Sequence, residues 1–178
     1  YGNDILIFPV GDRTLQEMDE WTAALVKFCE ENSLDAKITR CPLLQYTADA
    51  KYVYEANRAY LEDITKVFPL RNFFTISEIE FVKECREIAD QGKDAIRRYT
   101  LLLTPILAGK DGEEILRTLT VFLLDQNSSI TETAKHLFVH KNTVKYRLQK
   151  ASNLLGFHVG DIPQSKNLIY ALALQRIL

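Results

Sequence analysis

The sequence has none of the patterns that mark membrane, secreted or common enzyme chains. It has no run of about 18 apolar residues, so no membrane-spanning helix is predicted. No charged, apolar and small-residue pattern marks a signal peptide. The glycines form neither a P-loop nor a dinucleotide-binding pattern, and there is no Ser/His/Asp arrangement. We therefore expect no membrane partner, no cofactor and no catalysis.

Cysteine is scarce and scattered. Cys29, Cys41 and Cys85 show no CxxC spacing, which argues against a structural zinc site and against a disulfide framework. An odd number of thiols in a chain without a secretion signal fits a reducing cytoplasm. Because the first residue is Tyr1 rather than Met, we expect a fragment of a longer protein. An unknown small-molecule effector would then be sensed by the region before Tyr1.

The net charge of −2 conceals an asymmetry along the chain. Residues 128–178 contain seven Lys and Arg and two Asp and Glu, a net charge of +5, so the preceding part carries −7. Attraction to phosphates depends on the local field rather than on the total charge. An acidic body with a basic C-terminal region is typical of a regulator that contacts DNA through one small domain.

The first 76 residues predict a partial α/β unit. Strand-forming runs occur at 4–9, 35–39 and 72–75. Helical periodicity occurs at 15–31 and again from a cap at Thr47 to about Val67. So few strands indicate an incomplete α/β fold.

Residues 77–110 predict a helical connector. Helical spacing occurs at 79–89 and at 95–103, and Pro105 should end or kink the second of these segments. The run Ala-Gly-Lys-Asp-Gly at 108–112 predicts a domain boundary.

A further helix is predicted from about 113 to 124. Asp111 and Glu114 have the spacing of a capping box at its start, with Asp111 as the cap.

Residues 129–155 predict a helix-turn-helix. Ser129 and Glu132 form a second capping box, so the first helix should begin directly after the serine. The small Ala134 falls where the two helices of such a motif cross closely. The first helix should stop near Phe138.

The second helix should begin at His140 or Lys141. Its inward stripe follows at spacings of four, three and four residues, namely Val144, Leu148, Ala151 and Leu155. At about 100° per residue, the opposite face is polar. That face consists of Asn142, Tyr146 and Gln149, flanked by Lys145 and Lys150.

These side chains have the chemistry that reading a DNA duplex requires. Lysine donates to guanine, asparagine and glutamine pair with adenine, and a threonine methyl can contact the thymine methyl. The residues predicted to contact bases and nearby backbone are Lys141, Asn142, Thr143, Lys145, Tyr146 and Gln149. The residues predicted to serve phosphates or capping are His140, Arg147 and Lys150. For Arg147 a structural ion pair is an equal alternative.

Other interpretations remain open at this point. The basic face can belong to a solvated helical bundle, or to an interaction module that docks an acidic protein surface. The α/β unit can be a catalytically dead nucleotide sensor. His136 and His140 are four residues apart, but the glutamate of an HExxH motif is absent, so we expect no metal site.

The run from Leu137 to Leu148, Leu-Phe-Val-His-Lys-Asn-Thr-Val-Lys-Tyr-Arg-Leu, resembles the C-terminal helix-turn-helix of the PucR/CdaR family of bacterial regulators. The resemblance covers about residues 111–178 and extends to Leu154-Leu-Gly and to the closing helix around 168–174. It implies transcription control, commonly of catabolic or secondary-metabolism genes. It also implies a homodimer that binds paired half-sites.

In that family the domain follows a degenerate GGDEF-like domain. Tyr1-Gly-Asn-Asp-Ile5 lies where the GGDEF turn would be, with its first glycine and its carboxylates changed, so no GTP cyclisation is expected. The predicted fold is therefore α-rich α+β. It comprises a GGDEF-like α/β unit at 1–76, a helical connector at 77–110 and an all-α helix-turn-helix domain at 111–178.

Overall fold

A computed structural model describes residue 11, residues 13–41, residue 44 and residues 46–178, with the backbone alone at Thr47. The strand predicted at 4–9 and the GGDEF-like turn at 1–5 lie outside the described residues. The chain folds into two compact units. The first holds the described residues up to Ala59 together with Asn72–Ile79, and the second holds Tyr60–Arg71 and Glu80–Leu178.

The first unit begins with helix α1, Leu15–Glu31, as the sequence predicted. A capping box starts this helix. The backbone N–H of Glu17 donates to Thr14 Oγ1 at 3.3 Å, and the backbone N–H of Thr14 donates to Glu17 Oε2 at 2.8 Å. The hydrogen bonds that the Glu17 carboxylate accepts from Thr14 favour its charged form and lower the pKa of Glu17.

Two short strands form a parallel pair. Strand β1, Ile38–Arg40, pairs with strand β2, Phe73–Thr75, with Ile38 opposite Phe73. Parallel strands need a crossover connection, and helix α2, Thr47–Val67, provides it. Two of the three predicted strands are therefore confirmed, although β1 begins three residues later than predicted. Thr47 is the first helical residue rather than the cap before it.

The rest of the chain is helical. Its elements are α3 (Ile76–Asp90), α4 (Lys93–Thr100), a 3₁₀ turn (Leu101–Leu103), α5 (Thr104–Leu107), α6 (Gly112–Thr120), a π-helical turn (Val121–Asp125), α7 (Ile130–Leu137), α8 (Lys141–Leu155) and α9 (Gln164–Ile177). Pro105 lies in the first turn of α5, where the missing N–H costs no helical hydrogen bond. None of the helices among the described residues is both long and apolar enough to cross a membrane.

Helix α9 lies at the centre of the second unit. Leu168, Leu172 and Leu174 are fully buried there, and α9 packs against α4. A helix that is apolar on nearly all sides is stable only when it is buried on nearly all sides. Each large apolar side chain left exposed loses about 1.5–3 kcal/mol of hydrophobic stabilisation. Near its end, Arg176 donates to both carboxylate oxygens of Asp125, at 2.8 and 2.7 Å. This pair holds α9 to the π-helical turn that precedes α7.

Candidate nucleic-acid interface

Helix α7 begins where the sequence predicted. Ser129 is its N-cap, and Ser129 Oγ accepts a hydrogen bond from the backbone N–H of Glu132 at 3.3 Å. The reciprocal half of the predicted capping box is not formed. The Glu132 carboxylate instead accepts from Lys135 Nζ at 2.8 Å.

The turn between α7 and α8 is tight. Phe138 ends α7 in the left-handed conformation, with φ of 55°, and its N–H points at the carbonyls of Ala134 and Lys135. The N–H of Val139 donates to the Ala134 carbonyl at 3.0 Å. These bonds satisfy carbonyls that a helix end leaves without partners. Ala134 itself is buried, as expected of a small residue at a close crossing.

Helix α8 is capped by His140, which is one of the two roles that the sequence left open for this residue. His140 Nδ1 accepts a hydrogen bond from the backbone N–H of Asn142 at 3.2 Å. The cap fixes the start of the helix at Lys141 and so fixes which side chains its first turn presents.

The inward stripe of α8 is the predicted one. Val144 and Ala151 are fully buried, and Leu148 and Leu155 are half-buried. The helix packs against α6 and α7. Burial of this stripe holds α8 in a fixed rotation about its own axis, which turns the opposite face outward.

We call this outward face the reading face of α8. Its exposed members are Lys141, Asn142, Lys145, Tyr146 and Gln149, and Thr143 beside them is half-buried. Within the described residues, neither Lys141 nor Lys145 forms an ion pair with a carboxylate, so both ammonium groups face solvent. Gln149 Nε2 donates to Asn153 Oδ1 at 3.1 Å.

The two remaining cations of α8 lie against α6. Lys150 Nζ donates to both carboxylate oxygens of Asp111, at 2.7 and 2.6 Å. Arg147 forms an ion pair with Glu114 and also donates to Thr118 Oγ1 at 3.4 Å. Arg147 therefore forms the structural ion pair that the sequence left as one of two alternatives.

The predicted capping box of α6 is wrong. Asp111 occupies the cap position, but its side chain makes no capping hydrogen bond. Its carboxylate is held by Lys150, and the Glu114 carboxylate is held by Arg147. The hydrogen bond from Lys150 lowers the pKa of Asp111, and the same bond raises the pKa of Lys150. Local spacing thus identified Asp111 and Glu114, but not that their carboxylates hold Lys150 and Arg147.

Two further observations concern side chains near the site. No group of three or more potential metal ligands occurs in the part of the chain that the structure describes. His136 is half-buried on α7, and His140 uses Nδ1 for the cap. Lys166 on α9 lies with Nζ 5.7 Å from the centre of the Tyr170 ring, a cation–π arrangement.

Comparison with known proteins finds a family model that matches this part of the chain. Residues 115–174 match the family model of the PucR C-terminal helix-turn-helix domain. This segment is a PucR-type helix-turn-helix domain. The match runs from the middle of α6 to α9, so it includes the turn at Phe138 and the whole reading face.

The chain is also similar over a short stretch to a curated relative. The purine catabolism regulatory protein of Bacillus subtilis is 42% identical over 69 residues, which cover 39% of this chain and 13% of that protein. The chain therefore matches only a small part of the relative's length. No solved structure matches the chain.

Proposed function

We propose that this chain binds double-stranded DNA through the reading face of α8 and acts as part of a transcription regulator of the PucR/CdaR type. The observation that carries the proposal is the division of the α8 cations into two sets. Lys141 and Lys145 are exposed and have no carboxylate partner among the described residues. Arg147 and Lys150 are paired with α6.

The free set lies at the N-terminal half of α8, the part of a recognition helix that enters the major groove. Lys141 and Lys145 would bind phosphates or guanine acceptors, while Asn142 and Gln149 would pair with adenine edges. Thr143 offers a methyl to thymine, and the Tyr146 hydroxyl offers a donor to a phosphate. A helix face that is merely solvated does not require cationic, amide and hydroxyl side chains together within the nine residues from Lys141 to Gln149.

The paired set would act on DNA indirectly. Arg147 and Lys150 join α8 to the start of α6 and so hold the reading face at one angle. Their guanidinium and ammonium groups are partly neutralised by Glu114 and Asp111, which weakens any attraction to phosphate. We therefore assign them to positioning and leave phosphate contact mainly to Lys141 and Lys145. His140 serves as the N-cap of α8 and directly precedes Lys141.

The wider setting is part of the same proposal. The name of the Bacillus subtilis relative supports control of catabolic genes, and a homodimer on paired half-sites would give the operator two-fold symmetry. An effector would be sensed outside the helix-turn-helix domain. Residues 1–76 would form a degenerate GGDEF-like unit without catalysis and residues 77–110 a connector. The parallel pair β1–β2, joined by α2, supports an α/β origin.

The test is DNA selection followed by a salt titration. The full chain would select duplexes from a random pool, and fluorescence anisotropy would give the affinity for a selected duplex from about 50 to 200 mM salt. Lys145→Ala should weaken binding and reduce the log–log salt slope by roughly one. Lys93→Ala is the matched control, because Lys93 is also exposed but lies on α4.

Two results would count against the proposal. One is the absence of any duplex that the chain prefers over random sequence, which would favour the protein-interaction module instead. The other is a salt slope unchanged by Lys145→Ala but reduced by Lys93→Ala, which would place the phosphate contacts elsewhere.

A further inference from the structure

Phe138 combines two features that a turn residue does not ordinarily have. Its φ is 55°, in the left-handed region, and its side chain is 95% exposed. It is the most exposed large apolar side chain among the described residues.

The fold does not account for a phenylalanine at this position. A bulky residue at positive φ is a genuine outlier, because its Cβ crowds the following carbonyl oxygen. Glycine adopts this conformation without that cost, and asparagine adopts it more readily than most residues. The ring also gains almost no burial in return, since only a small fraction of it is covered. Strain that is not offset by burial against the described residues is a reason to look for a function.

The position of Phe138 suggests where that function lies. It stands two residues before His140, the N-cap of α8, and it ends α7. The N-terminal end of α8 is the end that enters the major groove in the proposed complex. Phe138 therefore lies close along the chain to the start of the reading face and would stand at the edge of the groove.

We infer that Phe138 makes an apolar contact with the C5-methyl group of a thymine at the edge of the major groove. The thymine methyl is the apolar group that the major groove offers, and phenylalanine is among the side chains that contact it. Such a contact would cover the ring and remove its apolar surface from water. The assignment rests on the proposed DNA-binding function and adds a specificity determinant to it.

Two substitutions separate this role from a role in folding. Phe138→Gly and Phe138→Asn both suit the left-handed backbone, so each variant should fold, with a melting temperature equal to or above that of the unchanged chain. Leu178→Ala removes a comparably exposed apolar side chain at the far end of α9 and serves as the control.

The probe is a duplex selected by the unchanged chain from a random pool, together with versions in which single thymines are replaced by deoxyuridine. Both Phe138 variants should bind the selected duplex roughly four- to twenty-fold more weakly, with an unchanged salt slope. For the unchanged chain, one deoxyuridine should cost about fourfold in affinity, the equivalent of one buried methyl. That discrimination should vanish in both Phe138 variants and persist in Leu178→Ala.

The inference would be overturned if both variants bound as tightly as the unchanged chain and kept its discrimination between thymine and deoxyuridine. That outcome would point to a protein partner for Phe138. If the unchanged chain selected no duplex at all, the DNA-binding proposal would fail first and this inference with it. Failure of the inference alone leaves normal, selective DNA binding intact.

Discussion

Lys150 on α8 donates to both carboxylate oxygens of Asp111 at the start of α6, with Nζ 2.7 and 2.6 Å away. The two residues are 39 positions apart in the chain. One turn earlier on α8, Arg147 pairs with Glu114 on α6. Helix α8 is thus tied at two points to α6, which does not itself belong to the helix-turn-helix.

We predict that Asp111→Asn lowers the thermal stability at neutral pH and that the difference from the unchanged chain shrinks in acid. The pKa of Asp111 in the folded chain lies below its ordinary value of 3.8 because Lys150 donates to the ionised form. A carboxyl with a lowered folded pKa stabilises the protein above its unfolded pKa, and this contribution is lost as the pH falls through the folded value. Melting curves from pH 7 down through the region below 3.8 would measure it.

Glu113→Gln is the control for this titration. Glu113 is an exposed neighbour on α6 and forms no ion pair that the structure records among its described residues. Its melting temperature should follow that of the unchanged chain at every pH. If Asp111→Asn behaved in the same way as Glu113→Gln, the ion pair with Lys150 would contribute nothing measurable in solution.

A second prediction concerns the close approach of α5 and α6 at Gly112. A Cβ added there would lie 2.4 Å from the Ile106 carbonyl oxygen and 3.0 Å from the α-carbon of Leu107, and both of these atoms belong to the backbone. Backbone cannot rotate away as a side chain can, so Gly112→Ala should shift α6. We expect a loss of roughly 1–3 kcal/mol in the free energy of unfolding.

Gly109→Ala is the matched control, because the nearest atom to its added Cβ lies at 3.4 Å, an ordinary contact distance. Urea unfolding of both variants would measure whether Gly112→Ala lowers the free energy of unfolding more than Gly109→Ala does. Helix propensity alone favours alanine over glycine by about 1 kcal/mol, so a stabilised Gly112→Ala chain would show that α5 and α6 do not approach so closely.

The features that could be predicted from sequence are those fixed within a few residues. The Ser129 and His140 caps each bond to a backbone N–H two or three positions away, so local spacing reveals them. The inward stripe of α8 follows from periodicity. Asp111 occupies the predicted cap position, but the capping box is not formed, because an ammonium group 39 residues later holds the same carboxylate. No local rule reports that competition.

The strands show the same limit. The predicted strand at 35–39 overlaps β1 at Ile38–Arg40 by only two residues. Its position is set by the parallel register with β2, in which Ile38 lies opposite Phe73. Composition marks the region as extended, but the partner strand decides which residues pair. Phe138 is predicted to lie near the end of its helix, yet its exposure and its positive φ become visible only in three dimensions.

A third prediction tests the crossing of α7 and α8. Ala134 is 4% exposed, so a larger side chain there must displace its neighbours. We expect Ala134→Leu to destabilise the domain by roughly 1–3 kcal/mol through overpacking. Lys135→Leu, at the exposed adjacent position, controls for the change in hydrophobicity. Equal melting temperatures for Ala134→Leu and the unchanged chain would mean that the two helices are not in close contact at this residue.

The last prediction concerns the pair of Arg176 and Asp125. The Asp125 side chain is fully buried and that of Arg176 is 20% exposed. Replacing Asp125 with Ala leaves a guanidinium group in a largely buried position without its carboxylate, which costs roughly 3–5 kcal/mol in comparable buried pairs. The double variant Asp125→Ala with Arg176→Met removes both charges and should recover part of that loss, because methionine fills space without requiring a counter-ion.

Chemical denaturation of the two single variants and the double variant gives the coupling energy between Asp125 and Arg176. Additive losses would mean that the two side chains do not interact, and α9 would then be held to the π-helical turn by apolar packing alone.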